Sequence, residues 1–83
     1  METNELKKKA RSMDPVVRIG KNGINEGTIE EIKKLLKRRR LIKIKMLRSF
    51  AETEKRRDVA DMIAKQTSSR LVEVMGNSIT LYK

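Results

Sequence analysis

The order of hydrophobic periods along this chain predicts an α/β (α+β) fold, a two-layer sandwich with an N-terminal helix followed by β-α-β-α-β-β and a four-stranded mixed sheet. Three observations predict it. Segments with apolar residues at helical spacing alternate with segments that are short and β-branched or strictly alternating. Asp14-Pro15 and Gly76-Asn77 punctuate the pattern where turns are required. Right-handed crossovers between parallel strands then set the second and third helices on one face of the sheet and leave the other face open.

Leu6, Ala10 and Met13 share one side of an amphipathic helix over Glu5 to Met13, which Asp14 and Pro15 end. Val16 to Ile19 is a short strand. From Asn25, Ile29, Ile32, Leu35 and Leu36 return at helical spacing, and Glu30 stands four residues before Lys34. Gly27 weakens the first turn of that helix by up to about 1 kcal/mol relative to alanine, so a close backbone contact is expected there. Leu41 to Met46 alternates, with Ile42, Ile44 and Met46 inward and Leu41, Lys43 and Lys45 outward. Thr53 is the expected cap of a last helix running to Gln66. Leu71 to Met75 and Ser78 to Tyr82 form a hairpin, with Val72, Val74, Ile79 and Leu81 expected on the core face.

Composition sets the partner class. The 83 residues carry 21 Lys and Arg against 11 Asp and Glu, a net charge of +10, which is an excess of the size nucleic-acid binding uses. Between Glu31 and Glu52 lie nine cations and no acid: Lys33, Lys34, Lys37, Arg38, Arg39, Arg40, Lys43, Lys45 and Arg48. Lys37 to Arg40 also suit the C-terminal dipole of their helix, a structural reason that competes with the functional one. The length allows one domain over residues 1–83 with a small core. The chain has no Cys and no His, which removes thiolate and imidazole chemistry and the usual zinc ligands, and its acids show no convincing catalytic pair. No enzyme activity, cofactor, metal or small-molecule substrate is expected. The charged N-terminus and the lack of a long apolar run fit a cytoplasmic protein with no membrane partner, and a monomer is expected.

The motif that carries function is Gly20-Lys21-Asn22-Gly23, set between an extended segment and a helix start. A GxxG tetrad alone is more often a tight turn than a site. Here the glycines permit close approach to the backbone, Lys21 supplies a cation, and the amides opening the next helix add a partial positive charge, so an RNA phosphate is the expected ligand. Arg18, Lys43 and Lys45 on the open sheet face, close to the C-terminal end of the first crossover helix, are expected to make one contiguous basic surface with the loop.

Beyond the motif, the local text resembles the CRM (chloroplast RNA splicing and ribosome maturation), or YhbY-like, domain family. The resemblance runs through Asp14-Pro15-Val16-Val17, Ile19-Gly20-Lys21-Asn22-Gly23, Glu26-Gly27, Leu41-Ile42-Lys43-Ile44-Lys45, and Met75-Gly76 followed by Leu81-Tyr82-Lys83. Ser68-Ser69 departs from the family's glycine after the last helix. The resemblance implies a fold like the C-terminal domain of translation initiation factor 3, binding of structured RNA, and Gly20, Lys21, Asn22 and Gly23 as the main contact. For a single-domain prokaryotic type it also implies a role in assembly of the large ribosomal subunit, with ribosomal RNA or a pre-ribosomal particle as partner.

The expected mechanism is binding without chemistry. The loop grips a phosphate, Asn22 reaches a sugar or base, and Lys33, Lys37, Arg38, Arg40, Lys43, Lys45 and Arg48 follow the backbone on either side. With Phe50 and Tyr82 as the only aromatics, base stacking is not the main source of affinity, and RNA shape is the expected target. Two rivals are an Alba-like general nucleic-acid-binding protein and a protein adaptor docking on an acidic partner.

Overall fold

The computed structural model describes residues 2–52 and 54–83. Its elements are α1 (Thr3–Arg11), β1 (Val17–Ile19), α2 (Glu26–Arg39), β2 (Leu41–Met46), α3 (Arg48–Ala51), α4 (Arg56–Gln66), β3 (Arg70–Met75) and β4 (Ser78–Tyr82). The strands lie in the order β1-β2-β4-β3, with β1 parallel to β2 and the other two pairings antiparallel. The mixed α+β class and the four-stranded mixed sheet are those the sequence predicts.

Alternation in the strands places Val17 and Ile19, Ile42, Ile44 and Met46, and Ile79 and Leu81 on one face. They pack with Ile29, Ile32 and Leu36 of α2 and with Val59, Ala60, Ile63 and Ala64 of α4, as the helical periods require. Phe50 of α3 completes this core.

The second face differs from expectation. It is not open along its whole length: α1 lies on it, and fully buried Leu6 packs with Leu41, Val72, Met13 and Tyr82. The physical reason is a register shift in β3. Leu71 pairs with Leu81 and Glu73 with Thr80, so Val72 is the extra residue of a bulge. The bulge leaves Leu71 and Val74 against the main core and sends Val72 to the opposite side, where it forms the seat for Leu6. Val72 therefore does not share a face with Val74, Ile79 and Leu81.

The last helix is also divided. The short α3 follows β2 directly, and α4 begins at Arg56 with Lys55 in the cap position and no side-chain cap. The expected cap, Thr53, lies outside the described residues. At its other end, α4 closes with Ser68 at φ 52°, its N–H donating to the Lys65 carbonyl and that of Ser69 to the Ala64 carbonyl. That is a Schellman ending with serine in the place glycine usually takes.

Candidate nucleic-acid interface

The Gly20–Gly23 segment is a hydrogen-bonded β-turn: the Gly23 N–H donates to the Gly20 carbonyl at 2.9 Å. Lys21 and Asn22 occupy its two central positions and are exposed. The segment after β2 builds the floor of the turn. The Leu47 N–H donates to the Ile19 carbonyl at 2.7 Å, and Phe50 is buried beneath. A Cβ on Gly20 would stand 3.2 Å from Leu47 Cδ1, so this glycine answers a close approach. Gly23 instead answers a backbone demand, with φ at +70°.

The helix that follows starts with a capping box. Asn25 Oδ1 accepts from the Thr28 N–H at 3.0 Å, and the Asn25 N–H donates to Thr28 Oγ1 at 3.4 Å. Gly27 belongs to this cap. A Cβ there would stand 3.2 Å from Asn25 Oδ1, so the close contact expected at Gly27 is with the chain's own capping oxygen.

On the sheet, Arg18 is paired in register with Lys45, and Lys45 with Ser78, which in turn pairs with Met75. Alternation puts all four on the second face. Arg18, Lys45 and Met75 are exposed, and this row sits at the turn end of the sheet, beyond the part that α1 covers. Two of the three cations predicted for this face, Arg18 and Lys45, therefore stand open at the end of the sheet that carries Lys21 and Asn22. Arg48 joins from α3, its guanidinium 2.9 Å from Glu52 and nine-tenths exposed.

Lys43 does not join them. Its ammonium donates to the carbonyls of Ala10 at 3.1 Å and Met13 at 3.4 Å, closing the C-terminal end of α1. Nor do Lys37, Arg38 and Arg40, which are exposed at the far end of the sheet: β1 runs toward the turn, α2 returns over its 14 residues, and β2 sets out again parallel to β1. A helix of that length spans about 21 Å. The Lys83 N–H donates to the Arg40 carbonyl at 2.8 Å, which ties this corner to the end of β4. Lys33 lies midway along α2, 3.5 Å from Glu30. The cations of the acid-free run are thus spread over both ends of the sheet, with Lys33 midway along α2 and Lys43 held by α1, and do not form one contiguous surface.

Both aromatics are committed to packing. Phe50 supports the turn, and Tyr82 packs on the α1 cluster with the Arg70 guanidinium carbon 5.5 Å from its ring centroid. In the sequence Leu47 and Ser78 have no place in the interface and Met75 reads as a filler of core gaps, whereas Met75 is 49% exposed. The hairpin register carries the signal for Met75 and Ser78, because it continues the Arg18–Lys45 row.

The family model for the CRS1 / YhbY (CRM) domain matches residues 1–83. "Probable RNA-binding protein YqeI" of Bacillus subtilis is 38% identical over 78 residues, covering 94% of this chain and 79% of that protein. "Probable RNA-binding protein MJ0652" of Methanocaldococcus jannaschii is 37% identical over 94% of this chain and 58% of its own length. An "RNA-binding protein" of Haemophilus influenzae is 33% identical over 94% of this chain and 77% of its own length. The solution structure of SAV1595 from Staphylococcus aureus superposes with a TM-score of 0.81 at 34% identity, over 98% of this chain and 82% of that one. These matches extend over nearly every element described above, and by them the chain belongs to the CRS1 / YhbY (CRM) domain family.

Proposed function

We propose that this protein binds structured RNA at the turn end of its sheet, without catalysis. The observation that carries the reading is the Gly20–Gly23 turn, which presents Lys21 and Asn22 to solvent on a buried Phe50 floor beside Arg18, Lys45 and Arg48. Lys21, Arg18 and Lys45 meet successive phosphates, and Asn22 hydrogen-bonds a sugar or base edge. Names given to the relatives support RNA as the partner class. Within that class the partner is ribosomal RNA in a precursor of the large subunit, as the family resemblance implies, and the protein acts as a monomer in the cytoplasm.

The test is competition between a structured large-subunit ribosomal RNA fragment and duplex DNA of matched length across a salt series. The reading expects the RNA to win at every salt, with affinity falling as salt rises. Equal binding of the two would favour a general nucleic-acid coat, and no binding of either would favour a protein adaptor.

A further inference from the structure

The row Arg18, Lys45, Ser78, Met75 crosses the whole sheet and changes character on the way. It begins with two cations, passes a hydroxyl and ends on a thioether that is 49% exposed. Met75 and Leu47 are the exposed large apolar side chains among the described residues, and both lie at the turn end of the sheet. Between Met75 and the end of α1 opens a recess of about 50 Å³, walled by Lys43, Glu73, Ser78 and Thr80. Three features thus meet at one place: cations for phosphate, an apolar surface, and a small recess of mixed lining with the Ser78 and Thr80 side chains in its wall.

We infer that this row holds one unpaired nucleotide of the RNA, its phosphate on Arg18 and Lys45 and its base against Met75. The inference rests on the RNA reading above and narrows it from structured RNA to a stem interrupted by an unpaired residue. Two strand steps separate Lys45 from Met75, about 10 Å at ordinary strand spacing. Met75 is therefore out of reach of the phosphate that Lys45 holds but within reach of the base on the same nucleotide. A fully paired stem offers the row phosphates, riboses and base edges, and leaves the thioether no open ring face to pack on. An unpaired base offers a ring face to the sulfur, and the recess admits the polar edge of that base without swallowing the whole ring.

The experiment compares the intact protein with its Met75→Ser and Met75→Leu variants on two RNA hairpins that differ only by a single bulged adenosine in the stem. Circular dichroism checks that each variant is folded. The expected result is that the natural protein prefers the bulged hairpin by roughly three- to tenfold, the scale of a thioether against an aromatic ring. Met75→Leu keeps most of that preference. Met75→Ser abolishes it, bringing affinity for the bulged hairpin down to that for the paired one. The inference is overturned if the natural protein binds both hairpins equally, or if the preference survives in Met75→Ser, in which case the apolar patch serves a protein partner. Failure of both hairpins to bind would remove the RNA reading itself, an outcome distinct from equal binding.

Discussion

The ammonium of Lys43 lies 3.1 Å from the carbonyl oxygen of Ala10, across 33 residues of sequence, and thereby joins the middle of the sheet to the last turn of α1. A cation at a helix C-terminus is favoured by the dipole, and here it adds a side-chain donor to the Ala10 carbonyl, which also accepts from the Met13 N–H at 3.1 Å. The same half-buried side chain reaches the Met13 carbonyl at 3.4 Å. Lys43 reads as an RNA ligand in a strand pattern, yet its position makes it the bolt that holds α1 on the second face.

Lys43→Met should accordingly lower stability by about 1 to 3 kcal/mol, the scale of hydrogen bonds to a charged group. Urea denaturation measures the loss, and hydrogen exchange should locate it in α1. RNA affinity of the folded variant should change by less than twofold.

The Schellman ending of α4 supplies a second prediction. Ser68 holds φ at 52°, where a Cβ costs about 1 kcal/mol that glycine does not pay. Ser68→Gly should raise stability by roughly 0.5 to 1 kcal/mol, and Ser68→Val should lower it. A denaturation midpoint that falls in Ser68→Gly would show that the serine side chain has a role beyond tolerance of the turn.

Gly27 and Asn25 should be coupled. Alanine at an ordinary helix position gains up to about 1 kcal/mol over glycine. Here the added Cβ would meet Asn25 Oδ1 at 3.2 Å and disturb a cap of similar worth. Gly27→Ala should therefore be nearly neutral in the natural protein and stabilising by about 0.8 kcal/mol in an Asn25→Ala background. Equal effects in the two backgrounds, measured as a double-mutant cycle, would disprove the coupling.

Gly23→Ala should cost about 1 to 2 kcal/mol, because φ is +70° there while Phe50 Cε1, at 3.8 Å, leaves room for a methyl group. The cost is conformational rather than steric. Gly23→Asn, which tolerates left-handed angles, should recover part of it in the same thermal melt.

Much of this was legible in the sequence. Apolar periods gave α2, β2 and the hairpin nearly to the residue, and the glycines gave the turn. The bulge at Val72 was not legible, because an alternating run looks the same with or without an extra residue until its partner strand is placed. That single shift decides whether the second face has a seat for Leu6, and so whether α1 covers it. The split of the basic residues was hidden for a related reason. Lys37 and Lys45 are close in sequence, but one precedes the return of the chain along β2 and the other follows it, so the sheet's own length separates them.

That separation gives the most direct test of where RNA binds. Affinity for a structured ribosomal RNA fragment is measured across a salt series for the natural protein, for Lys21→Ala with Asn22→Ala at the turn, and for Lys37→Ala with Arg38→Ala at the far corner. Each pair of substitutions has little to disturb in the fold, since all four side chains are exposed. The account predicts that the turn variant loses at least tenfold in affinity and about one phosphate contact from its salt dependence, while the corner variant loses no more than about threefold. Full affinity in the turn variant, with the larger loss in the corner variant, would contradict it and move the interface to the other end of the sheet.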